Sequence, residues 1–457
     1  MTPQEDRAVH PARAVELATF RRDFYGSLRR WGDALFELCD AALCASGPVG
    51  SVPALSLEPG FRRSHGSLYK ALARGSIDAT RLGRLLVEHR PKDWPLIFAV
   101  DGSTWDRCAA ETSPERGFYF SASKHSSGQP IVAGWLYQWI SQLNWAKDSW
   151  TAPLDARRIT PHEDTTTATV DQVQHLVGLL PSDDEVPMFV FDAGYDPIAI
   201  SHGLVATRAQ VLVRIRGDRI FYPDPPAPTA DTVGRPRRHG ARFALTDEAT
   251  WTATDGELVT HDASYGTVTV KAWYGLHPRI HRHQGRRWGA EGMAPIVRGS
   301  VIRVEVEHLP RPKAHIKKTL WLWWSGPGTP DLDLCWRAYL RRFDIEHTYR
   351  FVKQTLGWTS PSLQTPEQAD RWTWLVMAAY TQLRLARGHV DDLRLPWERP
   401  RDPVQLTPAR VRRGFCRLRA ILGTPASPPK SNTPGPGRPK GSRRPPRTRY
   451  PVVKRVT

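Results

Sequence analysis

WPLIFAVDGSTW, residues 94–105, reads as a short, largely apolar strand that runs into an aspartate, Asp101. A second stretch of the same texture, VPMFVFDAGYD (186–196), ends in Asp192. Short apolar runs rich in β-branched and aromatic side chains suit strands buried on both faces of a sheet. Between them, GFYFSASKHSSGQPIVAGWLYQWISQL (117–143) reads as one or two further strands or a hairpin. Residues 165–180 read as a helix with Val170, Val173, Leu176, Val177 and Leu180 along one side. HGLVATRAQVLVRIRGD (202–218) reads as a helix leading into a strand over 211–215. This alternation predicts an α/β domain with a mixed sheet.

Outward from that block the texture changes on both sides. Residues 1–90 read as helical: Phe20, Phe24, Leu28, Trp31, Leu35 and Leu38 recur at spacings of three and four. Two shorter helices follow at 67–75 and 76–90, with Gly75 at the break and Ser76 as a cap. They read equally as a plain hairpin or as a helix-turn-helix presenting Arg81 and Arg84 to DNA. On the other side, residues 219–318 are dense in Pro, Gly and Arg, with alternating stretches GTVTVKAWYG (266–275) and SVIRVEVEHL (300–309) that predict a β-rich insertion. TLWLWWSG (319–326) then reads as a strand rejoining the sheet, and DRWTWLVMAAYTQLRLARG (370–388) as a packed helix.

Charge is unevenly spread over the 457 residues, whose net charge is +18. Residues 401–457 carry 15 Lys/Arg and one acid, Asp402, a net of +14, which leaves the body at +4. A polycationic segment on a balanced body points to nucleic acid, although a solubilising tail has the same composition. No apolar run approaches a membrane span, and residues 1–20 lack the apolar core of a signal peptide. The five cysteines form no CxxC pair, which suits a reducing cytoplasm and excludes a disulfide scaffold.

YLRRFDIEHTYRFVK (339–353) holds Tyr339, Arg342, Glu346 and Lys353. On a continuous α-helix these four fall within a stripe about 60° wide. A helix with ordinary ion pairs and a solvated face would also place them so. Asp101 and Asp192 at strand ends give Glu346 partners of the kind a hard divalent cation needs, since Mg²⁺ takes oxygen ligands, usually one or two carboxylates plus substrate phosphate. Each acid alone has a structural explanation, as a turn or a cap, and Asp106, Asp196 and Asp344 stand close by.

FAVDGSTW, FVFDAGYD and YLRRFDIEHTYRFVK together resemble the Asp-Asp-Glu triad of bacterial insertion-sequence transposases. The last matches the Tyr-(2)-Arg-(3)-Glu-(6)-Lys signature of the branch with a β-strand insertion domain, and 153 residues separate Asp192 from Glu346. The resemblance covers about residues 94–390. It implies an RNase H-like core interrupted by the β-rich insertion, with an N-terminal helical domain and a disordered basic tail. The expected division is 1–90 (helical, DNA-binding), 91–218 (core, first part), 219–318 (insertion), 319–395 (core, second part) and 396–457 (tail). It implies two Mg²⁺ or Mn²⁺ ions held by Asp101, Asp192 and Glu346, with phosphate contacts from Tyr339, Arg342 and Lys353. It implies cut-and-paste transposition by end cleavage and strand transfer, with or without a hairpin intermediate, on terminal inverted repeats and target DNA. The active complex would be a homodimer, nucleoid-associated in a bacterial cytoplasm, with no membrane partner.

A hairpin route needs an aromatic ring to hold an unstacked base. Trp321, Trp323 and Trp324 lie where relatives carry such a tryptophan, Trp323 foremost, while ordinary burial accounts for all three as core. In the tail, GPGRPKGSRR (435–444) resembles the Gly-Arg-Pro core of an AT-hook, beside plain phosphate attraction. Two rival expectations remain: an inactive transposase-derived DNA-binding protein, and a structure-specific nuclease with the same core.

Overall fold

The structure, a computed structural model, describes residues 11–120, 130–146, 148–182, 185–227, 237–279, 295–310, 318–430, 439–442 and 446–454. It opens with α1 (Pro11–Ser27), β1 (Leu28–Arg30), α2 (Gly32–Cys44), α3 (His65–Arg74), β2 (Ser76–Ile77) and α4 (Ala79–Glu88). Trp31, in the left-handed region at φ 60°, separates β1 from α2. Ser76 does not cap α4; it pairs in β2 with β1, and Asp78 accepts from the Arg81 amide at 2.9 Å instead. Asp is among the best N-caps, so the cap simply lies two residues later.

Next come β3 (Ile97–Asp106), β4 (Gly117–Phe120), β5 (Ile131–Gln142), β6 (Ala152–Ile159), α5 (Thr165–Leu179), β7 (Met188–Phe191), α6 (Pro197–Gly203) and β8 (Gln210–Ile215). The insertion contributes β9 (Ile220–Tyr222), β10 (Phe243–Ala244), β11 (Gly256–Asp262), β12 (Gly266–Pro278) and β13 (Gly299–Val306). β14 (Thr319–Ser325), α7 (Leu332–Arg341), α8 (Asp344–Gln354), α9 (Pro366–Ala386) and α10 (Pro408–Leu422) complete the order. This is a mixed α/β fold of the RNase H-like kind, as the strand and helix order predicted.

Contacts divide the chain into two compact units, both discontinuous in sequence. One comprises Leu96–Asp101 and Asp164–Phe343. Its strands run in the order β10-β9-β12-β13-β14-β8-β7, followed by the first half of β3. β3, β7 and β8 are parallel, whereas β8, β14, β13 and β12 are antiparallel in turn. The β-rich insertion therefore extends the sheet through β14, the strand predicted to rejoin it. Apolar alternation dictates this: Val268, Val270 and Ala272 of β12 are wholly buried and alternate with more exposed residues.

The other unit comprises Met1–Pro95, Gly102–Glu163 and Asp344–Thr457. In its sheet β5 pairs antiparallel with both β4 and β6, beside the second half of β3. α9 is its central helix, buried from Trp372 to Ala386 apart from a few positions and packed on α1, α2, α10 and β6. Trp139 and Trp358 pack edge to face at 4.9 Å between ring centroids. Arg21 ties the helices together, pairing with wholly buried Asp40 at 2.7 Å and donating to Gln382 at 2.6 Å.

Two expectations are corrected. The stretch 339–353 is not one helix: α7 ends at Arg341 and α8 begins at Asp344, so the four signature residues cannot share a single helical stripe. And residues 396–457 are not unstructured throughout. α10 buries Val411, Phe415 and Leu418 at spacings of four and three, and Arg412 donates to the Ala42 carbonyl at 2.9 Å. Further on, Val453 donates to Arg116 O and Tyr450 to Glu111 O, both at 2.8 Å. The AT-hook-like stretch 435–444 falls largely outside the described residues.

Candidate active site

β3 and β7 lie side by side and parallel, with Ile97 opposite Met188, Phe98 opposite Phe189 and Ala99 opposite Val190. Counting on one for one sets Val100 against Phe191 and Asp101 against Asp192. The runs IFAV and MFVF are buried at all eight positions, so their register is fixed by the core. By that count Asp192, the first residue past β7, falls level with Asp101 within β3, on strands about 4.8 Å apart. Level residues on parallel strands point to the same face, so two carboxylates are brought together by strand register alone.

Both carboxylates have neighbours that position them. Asp192 Oδ1 accepts from the Gly194 amide at 2.8 Å. A Cβ at Gly194 would come within 3.0 Å of that same oxygen, so a glycine keeps the carboxylate accessible. Arg342 Nη1 approaches Asp101 Oδ2 at 3.9 Å, with the Arg342 side chain 6 % exposed and Asp101 19 %. The guanidinium lies over the Phe343 ring at 4.6 Å, and its Nε has no hydrogen-bond partner among the described residues. Tyr195, its ring tilted against that of Phe191 at 5.1 Å between centroids, lies beside the pair as well. Its phenol is pushed well above the ordinary value by burial first, then by Asp101 and Asp192, with Arg342 opposing. An all-oxygen donor set on adjacent strands would suit a hard divalent ion such as Mg²⁺ or Mn²⁺.

Two of the neighbouring acids have backbone partners of their own. Asp196 caps α6, accepting from the Ile198 amide at 3.0 Å and from that of Ala199 at 3.2 Å. Asp106 accepts from the Cys108 amide at 2.9 Å. Asp101 starts no turn, because β3 continues to Asp106.

The remaining predicted residues are differently placed. Tyr339 is 1 % exposed on the buried side of α7, along with Cys335, Trp336 and Ala338. Its hydroxyl has no partner among the described residues. Glu346 belongs to the other unit, where it is exposed in the first turn of α8. There the helix dipole favours a carboxylate. Lys353, one solvent-facing row further along α8, donates to Thr104 O at 3.5 Å and lies over the Trp358 ring at 5.7 Å. Among the described residues no three of His, Cys, Asp and Glu are gathered as a metal-holding group.

Trp323 is wholly buried; its Nε1 donates to Ser201 Oγ at 2.9 Å and its ring stacks on Phe221 at 5.6 Å. Trp321 and Trp324 are buried too. All three are core, so in this conformation no base reaches them. Tyr195 and Gly194 escaped the sequence reading, although both stand in the quoted FVFDAGYD and the glycine two residues after the aspartate was the available signal.

The mixed sheet with its flanking helices is of the RNase H-like kind. The DDE superfamily endonuclease family matches residues 23–279, more than half of the chain, and the protein belongs to that family. The match takes in Asp101 and Asp192 and ends before the Tyr339–Lys353 stretch. No curated protein matches the chain. Family membership supports a transposase- or nuclease-like activity with DNA as substrate. No helix among the described residues is long and apolar enough to cross a membrane.

Proposed function

We propose that the protein is a cut-and-paste DNA transposase that cleaves transposon ends and transfers the freed 3′-hydroxyls into target DNA. The observation that carries this is the parallel register of β3 and β7, which on extension sets Asp101 within β3 level with Asp192 just past β7, with Arg342 beside Asp101. Asp101, Asp192 and Glu346 are the ligands for two Mg²⁺ or Mn²⁺ ions, which when bound activate the attacking oxygen and stabilise the leaving one. Arg342 orients Asp101, and its buried cation offsets the repulsion of two neighbouring carboxylates. Lys353, half exposed on α8, supplies a cation for a DNA phosphate. Tyr339 acts on the site by packing, since its ring is enclosed. The signature spacing and the strand-rich insertion support the transposase reading; the burial of Trp321, Trp323 and Trp324 gives no support to a hairpin held by any of them.

The test combines purified protein, the terminal DNA of its element, a target plasmid and Mg²⁺. Cleavage at the ends followed by joining is expected, with a homodimer in the active complex. Cutting without joining would leave the structure-specific nuclease, and binding without cutting would leave the inactive derivative. The flanking genomic sequence gives an independent check through terminal inverted repeats and a short target duplication.

A further inference from the structure

Away from the carboxylates, the chain between α9 and α10 builds a tightly bonded turn from Leu395, Pro396, Trp397 and Glu398. The Glu398 amide donates to Leu395 O at 2.9 Å, which closes it. Pro396 stands at the second position, where its fixed φ suits such a turn. The Glu398 carboxylate closes the turn a second time, accepting from the Leu395 amide at 2.8 Å. Two arginines of α10 then hold the loop. Arg413 donates to Glu398 Oε1 at 2.8 Å and to Leu393 O at 3.2 Å. Arg410 donates to Asp392 Oδ2 at 3.1 Å and to Arg399 O at 3.0 Å. The Arg410 side chain is 8 % exposed and that of Asp392 13 %, so water competes little for this pair.

Trp397 stands at the tip of that scaffold and is 78 % exposed. Tryptophan is highly buried on average, and here its ring contributes little to packing. The charges around it are sorted. All four acids of the loop are engaged: Asp391 with Arg417, Asp392 with Arg410, Glu398 with Arg413, and Asp402 with the Val404 amide at 2.9 Å. Arg399 and Arg401 lie two and four residues past the indole. Both are exposed, and neither guanidinium has a partner among the described residues. An open indole with two uncommitted guanidinium groups suits a partner that offers flat faces and negative charge together, which is nucleic acid. A duplex hides its base faces by stacking, so the ring needs an unpaired base.

We propose that the Trp397 turn is a contact for single-stranded DNA, in which the indole stacks on an unpaired base and Arg399 and Arg401 hold neighbouring phosphates. That the strand is DNA rests on the proposed function; the stacking itself does not. The bonds to Glu398 and Asp392 hold the turn in place before the strand arrives, which lowers the ordering cost of binding.

The experiment measures binding of the full-length protein, without divalent ions, to a labelled single strand of about 20 nucleotides and to the same sequence as a duplex, a length that spans several stacking contacts. Trp397→Ala should weaken single-strand binding about tenfold and leave duplex binding and the melting temperature unchanged. Trp397→Phe keeps a ring and should recover part of the loss. Arg399→Ala/Arg401→Ala should lower the log–log salt slope for the single strand by about 1.4, whereas Trp397→Ala leaves that slope alone. Unchanged single-strand affinity in Trp397→Ala, or an equal loss on both probes, overturns the proposal. So does a change of oligomeric state in Trp397→Ala with single-strand binding intact, which would make the turn a protein interface. Cleavage of terminal DNA by the wild type in Mg²⁺ is scored separately. A selective single-strand loss with no cleavage would sink the transposase reading alone, and cleavage with unchanged single-strand affinity would sink this one alone.

Discussion

Asp101 and Asp192 sit where two buried strands stop being apolar, and that made both legible from sequence. Four consecutive apolar residues need a sheet interior; the first polar residue after them ends β7, whereas β3 runs on to Asp106. Changing either to Asn keeps the shape and removes a charge. Cleavage should fall about a thousandfold or more, since a lost metal ligand costs several kcal/mol of transition-state stabilisation, while DNA binding persists in a shift assay. Arg342 stands out in the sequence by its spacing, but only the fold shows it enclosed beside Asp101. Arg342→Ala should slow cleavage yet raise Mn²⁺ affinity, read by the free-ion signal in electron paramagnetic resonance, because a competing cation has gone. Weaker Mn²⁺ binding would contradict that role. Trp323→Phe keeps the ring and breaks the bond to Ser201. It should cost about 1–2 kcal/mol in denaturant unfolding and leave DNA hairpin or cleavage yield per folded molecule unaltered. For His239, a base whose folded value is lowered by burial first, protons bind more readily when the chain is unfolded. Its contribution to stability therefore declines as pH falls through about 6.5. Melting temperatures at about pH 7.5 and 5.5 should differ less in His239→Gln than in the wild type.

At the scale of elements, α7 and α8 show where periodicity misleads. The apolar spacing runs through Arg342 and Phe343 without a Gly or Pro, so nothing in the letters marks a stop. The interruption follows tertiary demands: α7 buries Tyr339 and its neighbours in one compact unit, whereas α8 buries Ile345, Thr348, Tyr349 and Val352 in the other. α10 misleads in the opposite direction. VRRGFCRLRAIL reads as a polycation, and its arginines mask an amphipathic helix whose apolar row is Val411, Phe415 and Leu418. Long basic side chains can bury their stems and bond carbonyls, as Arg412 does with Ala42 O. Phe415→Ala should accordingly destabilise the protein by about 3–4 kcal/mol in equilibrium unfolding. Truncation before Pro408 should give insoluble chain, whereas truncation after Lys430 should leave a folded protein with a smaller salt slope of DNA binding. A soluble, cooperatively melting chain ending before Pro408 would refute the packing role of α10.

Over the whole molecule, β3 belongs to both compact units: Ile97–Asp101 lines up with β7 in one, and Gly102–Asp106 lies beside β5 in the other. The strand sets the timetable of synthesis. Residues near Arg107 and Ala133, already bonded at 2.8 Å in the finished protein, need only a short loop to meet. Ile97 must wait for Met188, its opposite number on β7. Closing that larger loop of some 90 residues costs about 4 kcal/mol of chain entropy. At ordinary translation speeds of about 5–20 residues per second, the apolar flank of β3 stays unmatched on the ribosome for roughly 5–20 s. Slower growth at low temperature, or a holding chaperone supplied in excess, should therefore raise soluble yield more for this chain than for one whose strands pair in order.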